Sequence, residues 1–455
     1  MASLRARIAA ARPDPGARLA APGASLGLGD LIRSGGFGAE LAGRSVLVLT
    51  ATQIGAAQAL VELDGRARRL VLCPPGAPAE HLPHVIAEAG VQAVATDRPE
   101  QLPAHLGLPV HALRPPGAAA ATSAADDLAT EWLMFTSGTT GAPKLVIHKL
   151  DGLTAALSPT APAGPRPVWG TFYDIRRFGG LQALLRALTG GCAMALSEAS
   201  SPIADRLAWF ARFGVSHLTG TPSHWRLLLM TAQSEPLDLA YLRLSGEIAD
   251  QAVLDQLGAM FPKARIVHAY ASTEAGVGFE VDDGLEGFPE DFVGRDGPVE
   301  LKVVDGSLRI RSPRAASGYA GPTALTDEAG FIDSGDMVEL REGRWRFVGR
   351  RGGVINVGGL KVHPEEVEAV LNRHPAVRMS RVQARRSPIT GSVVSAEVAL
   401  DDPQAANSPE LQARLRASIL DHCRAALPPH KTPVSLRFVA GMQMTAAGKL
   451  ERANA

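Results

Sequence analysis

The chain has 455 residues, with 46 Lys+Arg against 46 Asp+Glu, 46% hydrophobic and 20% charged. That length holds more than one domain, and the balanced charge gives no global field for nucleic acid or an anionic membrane. The three cysteines, Cys73, Cys192 and Cys423, lie far apart, make no metal-ligand spacing, and suit a reducing cytoplasm better than a disulfide framework.

Taken in chain order, Met1–Ala10 is basic and amphipathic and lacks the apolar core of a secretory signal, so it reads as a first helix. Ser45–Leu49 and Leu70–Cys73 read as strands, with Thr52–Asp64 a helix between them. His81–Ala89 follows as a helix and Val91–Ala95 as a strand. This alternation predicts a mostly parallel α/β sheet. Residues 115–127, rich in Pro, Ala and acidic side chains, read as a loop. The α/β pattern resumes with a helix at Leu181–Leu188, a strand at Cys192–Leu196, a helix at Ile203–Phe213, a strand at His217–Thr219 and a helix at His224–Ala232. The short alternating runs Val299–Val304, Ser307–Arg311 and Arg344–Val348, set between Gly-containing turns, predict a β-rich subdomain. Beyond them a small α+β unit is expected: helices at Pro364–His374 and Pro409–Ala426, strands at Val377–Ala384, Val393–Leu400 and Ser435–Val439. No apolar run reaches the length of a membrane span.

Chemistry concentrates first at Phe135–His148. The apolar run Trp132–Phe135 feeds Thr136, Ser137, Gly138, Thr139, Thr140 and Gly141, and Lys144 follows. Small residues let backbone N–H groups approach a polyanion, hydroxyls add donors, and the lysine adds a point charge. The spacing is not that of a Walker A loop. Two further signals are weak alone: Tyr270-Ala271-Ser272-Thr273-Glu274, where a carboxylate beside a hydroxyl suits Mg²⁺ on nucleotide phosphates, and Asp333-Ser334-Gly335-Asp336, whose last carboxylate suits ribose hydroxyls but equally a turn.

The string at 135–148 closely resembles the signature loop of the adenylate-forming superfamily: acyl-CoA synthetases, nonribosomal peptide adenylation domains and luciferases. Four more segments resemble that family in its order. The resemblance implies that Thr273 contacts phosphate, Glu274 organises Mg²⁺ and Tyr270 flanks the nucleotide, with Ala271 in place of the usual glycine. It implies that Ser245-Gly246-Glu247 packs along adenine, that Asp336 holds the ribose, and that Arg350 supports the ribose and phosphate side. Residues 350–353 resemble the interdomain hinge, with Gly352 where Asp or Lys is usual; glycine there gives the greatest dihedral freedom. Thr445-Ala446-Ala447-Gly448-Lys449 resembles the family's terminal motif, whose lysine reaches the acid and the α-phosphate.

The expected organisation is an α/β fold with a large N-terminal domain over 1–349 (α/β subdomains plus a β-rich subdomain), the hinge at 350–353, and a small mobile α+β lid over 354–455. The expected activity is that of an AMP-forming ligase with catalytic Lys449, Glu274 and Thr136. It would turn a carboxylic acid and ATP into an acyl-adenylate, then pass the acyl group to CoA or another thiol. The alternative is a stand-alone adenylation enzyme that loads carrier-bound phosphopantetheine, on a separate acyl or peptidyl carrier protein, or an amine. The acid's contacts are sought at Trp169–Gly180. There Tyr173-Asp174 resembles the Phe-Asp that holds an α-amino group, and Arg176 and Arg177 suit a second carboxylate. These charges equally suit a structural ion pair. The N-terminal part is short for the family and carries no diagnostic residue.

Overall fold

A computed structural model describes residues 2–33, 37, 39–102, 106–114, 128–136, 142–157, 165–231, 236–387, 391–402, 405, 408–445 and 447–451. Of the phosphate-loop residues, Ser137, Gly138, Thr139, Thr140 and Gly141 lie outside this set, as does the whole 115–127 segment.

Two parallel sheets carry the large unit. The first runs Gly318–Tyr319, Leu145–Lys149, Glu131–Phe135, Arg69–Leu72, Ser45–Val48, Ala93–Thr96, Val110–Ala112. Its centre is parallel, as the strand–helix alternation predicts, and only Leu145–Lys149 runs antiparallel to its neighbours, Glu131–Phe135 and the edge strand Gly318–Tyr319. The helix Gln53–Leu63 is buried on nearly every face and is capped by the Thr52 hydroxyl. The sequence reading missed the hairpin Arg18–Ala21/Ala24–Gly27. This hairpin leaves its sequence neighbours and closes the edge of the second sheet beside Met194–Ala195. No local pattern encodes that long-range pairing.

The second sheet runs Gly276–Val281, Arg265–Ser272, Tyr241–Ser245, His217–Gly220, Trp169–Thr171, Met194–Ala195, then the hairpin. Parity along Tyr241–Ser245 divides its two faces. Leu242 and Leu244 pack with Trp225, Phe210 and Leu257, whereas Tyr241 joins Trp169 and Leu184 on the side covered by the helix Phe178–Thr189. The C-terminal ends of these strands, at Thr171, Gly220, Ser245 and Ser272, converge on one rim. Crevices at the carboxyl ends of parallel strands are where ligands bind in such sheets.

The predicted β-rich region is a five-stranded antiparallel sheet in the order Phe288–Pro289, Arg344–Arg350, Ile332–Arg341, Ser307–Arg311, Glu300–Val304. From Ile355 onward a separate core forms around Val367, Leu371, Val382, Val398, Ile419 and Cys423. It contains the three strands Val377–Ser387, Gly391–Leu400 and Ser435–Phe438 and the helices Pro364–Leu371 and Pro409–Ala426. All three cysteines are free and buried. Among the described residues, no helix is long and apolar enough to cross a membrane.

Candidate active site

The strands Glu131–Phe135 and Leu145–Lys149 pair antiparallel, so the Ser/Thr/Gly loop joins the two arms of a hairpin. Thr136 closes its base by donating its N–H to the Lys144 carbonyl at 2.9 Å. The Lys144 ammonium sits 5.2 Å from the centre of the Tyr319 ring, a cation–π distance. Burial and the nearby Glu274 charge both raise the Tyr319 phenol pKa. Lys144 and the charge of Glu274, far apart in sequence, therefore both act on the Tyr319 side chain.

Behind that loop stands a histidine the sequence reading passed over. Buried His148 holds the Thr273 carbonyl through Nε2 at 2.6 Å. Burial drives its pKa down to about 4, so the ring is neutral and its Nε2–H is the donor. His148 thereby fixes the backbone that carries Thr273 and Glu274. Its inward parity on an apolar strand was the available signal.

Asp336 and Arg350 are direct cross-strand partners. Arg350 Nε donates to Asp336 Oδ1 at 2.8 Å, and the Tyr270 hydroxyl donates to Asp336 Oδ2 at 2.7 Å. Tyr270 is stacked on both Phe279 and Phe347. Burial first, then the Asp336 charge, raises its phenol pKa well above the ordinary value, so it remains a donor. One carboxylate is thus oriented from two sides by groups from two sheets.

Lys449 reaches this cleft from the C-terminal unit. The Gly448 and Thr445 backbones close a tight turn, with Gly448 N–H donating to the Thr445 carbonyl at 2.8 Å. Gly448 has φ +70°, and an added Cβ would collide with the His224 ring; only glycine fits both demands. The Thr221 hydroxyl donates to the Gly448 carbonyl at 2.5 Å. Glu247 accepts the Leu450 N–H at 2.8 Å and the Ser223 N–H at 3.0 Å. Asn372 adds a 3.1 Å bond to Asp250 across the same junction. Gly246, at φ +86°, lets the Lys449 stem pass: a Cβ there would lie 3.5 Å from Lys449 Cε.

Surrounding protein lowers the Lys449 ammonium pKa; Glu247, Asp336 and Glu274 oppose that fall and Arg350 deepens it. The residue nonetheless keeps accessible surface, as a side chain projecting into an open cleft must. Thr221 and His224 were also missed. They cap the helix Pro222–Met230, and the Thr-Pro start was the visible cue. The Thr221 N–H donates to His224 Nδ1 at 3.2 Å, and burial takes the imidazole pKa down to about 3.

The residues expected to choose the acid divide. Tyr173 is buried, and its hydroxyl donates to the Ser245 carbonyl at 2.7 Å. Asp174 and Arg176 grip each other in two parallel bonds of 2.8 and 2.6 Å, and Arg176 also donates to the Thr50 carbonyl at 2.5 Å. Both are nearly fully buried. Arg177 reaches the Pro75 carbonyl at 3.4 Å, and burial lowers its pKa. Among the described residues, no cluster of three or more His, Cys, Asp or Glu side chains makes a metal site.

Fold and site together define an adenylate-forming architecture: the antiparallel strands Glu131–Phe135 and Leu145–Lys149 that flank the Ser/Thr/Gly segment, an oriented carboxylate, and a lysine delivered by a small second unit. The AMP-binding enzyme family matches residues 66–320, and the AMP-binding enzyme C-terminal domain matches residues 366–449. The chain belongs to that family and so to the adenylate-forming superfamily.

Among similar proteins, the human mitochondrial acyl-coenzyme A synthetase ACSM5 is 27% identical over 367 residues, 73% of this chain and 61% of that protein. The 2-succinylbenzoate–CoA ligase of Salmonella typhimurium is 26% identical over 257 residues, 55% of this chain and 54% of that one. The chain thus spans about 60% or less of the length of these curated relatives. The anthranilate CoA ligase AuaEII, solved with anthranoyl-AMP, superposes at a TM-score of 0.79 with 18% identity, covering 98% of this chain and 95% of that chain. The amide bond synthetase McbA from Marinactinospora thermotolerans gives 0.75 with 20% identity, covering 98% and 97%. At such identities the likeness is one of fold.

Proposed function

We propose that this chain is an AMP-forming acid–thiol ligase. A carboxylate oxygen attacks the α-phosphorus of ATP, the bond to the β-phosphate oxygen breaks, and pyrophosphate leaves. The acyl-adenylate then gives its acyl group to the thiol of CoA, and AMP leaves. The observation that carries this reading is the arrival of Lys449 beside Gly246, where the charges of Asp336 and Arg350 act on it. Its cation suits charge developing between acid and α-phosphate, where preorganised charge contributes most.

The remaining roles follow from chemistry and position. Asp336, oriented by Tyr270 and Arg350, accepts ribose hydroxyls. Thr136 to Gly141 and Lys144 hold the β- and γ-phosphates, and Thr273 joins them. Gly246 and Glu247 flank the adenine. Glu274 offers the hard oxygen that Mg²⁺ prefers. A single carboxylate fits, because Mg²⁺ is commonly bound by one or two carboxylates plus substrate phosphates. When bound, the ion neutralises phosphate charge. Residues 350–353 serve as the hinge about which the small unit withdraws Lys449 before the thiol step.

The test is acid-dependent pyrophosphate release by wild type and Lys449→Ala. Loss on the order of a hundredfold or more is expected, the scale of removing one preorganised charge-stabilising group. Unchanged release removes Lys449 from the mechanism. Supplying CoA, a holo-carrier protein or an amine to the accumulated adenylate identifies the acceptor, and acyl transfer to CoA is the expected result.

A further inference from the structure

With the Asp174 and Arg176 charges satisfied by each other, the structure offers another candidate for reading the acid, on the sheet face under the helix Phe178–Thr189. Arg243 lies two residues before Ser245 on Tyr241–Ser245, so both point to this face. Ser245 contacts the Tyr173 hydroxyl at 3.1 Å. Across the sheet, Ser245 pairs with Ala269 and Ala269 with Glu280. The row therefore reads Ser, Ala, Glu, with the smallest side chain in the middle. Arg243, 8% exposed, spans that gap to form an ion pair with Glu280. Arg186, from the covering helix, stands 3.7 Å from the same Glu280 oxygen, beyond ordinary hydrogen-bond reach.

The charges around this spot do not balance. Arg265 is neutralised by Asp282 at 2.7 Å. Arg314 is half-buried and donates to the Val277 carbonyl at 3.2 Å. Tyr241 offers only its hydroxyl, 3.5 Å from Arg243. Arg186 and Arg243 thus share one carboxylate: burial depresses the Arg186 pKa, whereas Glu280 and Tyr241 outweigh burial at Arg243 and raise its pKa. Burying cations costs free energy unless an anion meets them. Arg243 lies three residues down the strand from Gly246, about 10 Å at the usual rise per residue. That is a span a small acid with a group at each end can cover.

We propose that the acid activated by this chain carries a second anionic group, a distal carboxylate or comparable oxyanion, bound by Arg243 and Arg186. This rests on the adenylation reading above and adds the substrate class. Guanidinium pairs suit carboxylates through parallel hydrogen bonds. Glu280 is the carboxylate that both arginines face.

The test measures pyrophosphate release with length-matched sets: monocarboxylic acid, dicarboxylic acid, ω-sulfonate and ω-amino acid, in aliphatic and aromatic series. Wild type is expected to favour the diacid over the monoacid by tenfold or more in kcat/KM, the scale of a charge-assisted hydrogen bond. The sulfonate arm distinguishes a carboxylate-specific site from a general anion site. Arg186→Gln, at a partly exposed position, is expected to abolish most of that preference through KM while the Tm holds. Arg243→Lys keeps a cation opposite Glu280 and is expected to weaken the diacid selectively. Equal use of monoacid and diacid by wild type, or a preference that survives Arg186→Gln, overturns the inference and leaves adenylation standing. Pyrophosphate release with no acid at all overturns both readings.

Discussion

Gly448→Ala is the sharpest test of how the small unit delivers Lys449. The added methyl enters the volume of the His224 ring, and φ at +70° places alanine in the left-handed region. His224 cannot retreat, because it is stacked on Phe172 at 5.1 Å and packed edge-on against Tyr173 at 5.9 Å. The turn must therefore lift. Lifting it breaks the Thr221–Gly448 bond and the Glu247–Leu450 bond, the second of them charge-assisted. A neutral bond contributes about 1 kcal/mol and a charged one about 1.5–3 kcal/mol; left-handed backbone at alanine adds about 1 kcal/mol. The docked arrangement is then disfavoured by about 4 kcal/mol, close to a thousandfold at 1.4 kcal/mol per tenfold. Acid-dependent pyrophosphate release measures adenylate formation and is expected to fall by at least a hundredfold. Acyl transfer from supplied acyl-adenylate to the thiol is expected to persist, since Lys449 is withdrawn for that step. The Tm is expected to hold, because the turn lies outside every core cluster. Near-normal pyrophosphate release by Gly448→Ala refutes the seating of Lys449 against His224.

Arg176→Leu strands buried Asp174 and is expected to lower stability by about 3–5 kcal/mol, read as a drop in Tm; a stable variant with altered acid preference would instead make the pair a specificity element. His148 and His224 have folded pKa values near 4 and 3 against 6.5 unfolded, so the unfolded chain takes up protons first as pH falls. Stability is full above pH 6.5 and is lost progressively toward pH 4 and below, by about 2 kcal/mol per histidine at pH 5. Denaturant midpoints at pH 7, 6 and 5 check this, and His148→Gln is expected to flatten the slope. Gly352 has open space around an added Cβ and no positive φ, so Gly352→Ala is expected to change stability by less than about 0.5 kcal/mol. Its effect is expected in thiol transfer, and slowed pyrophosphate release with normal transfer would argue against a hinge there. Because burial lowers the Lys449 pKa from 10.5, adenylate formation is expected to decline with rising pH before that value is reached; a profile flat to pH 10.5 contradicts a required ammonium.

The sequence by itself determined many of the chain's elements and the order of its chemical segments. Strand–helix alternation is a local pattern, so the helices Ile203–Phe213 and Pro409–Ala426 were legible to the residue. The segments around Thr136, Glu274, Asp336 and Lys449 are short and contiguous, so they too were legible before any fold. What only the tertiary structure decided are the meetings of residues far apart in the chain. The hairpin at 18–27 joins a sheet formed mostly beyond residue 168. Thr221 and Glu247 seat a turn 227 and 203 residues further along the chain. Asp174 and Arg176 are near neighbours whose pairing depended on burial, which sequence does not report. Nothing in the sequence marked Arg243; the sheet places Glu280 beside it and the covering helix brings Arg186 to the same carboxylate. Hydrogen bonding and ion pairing act over a few ångströms, so their partners are set by packing, whereas periodicity and turn chemistry act within a few residues and are written along the chain.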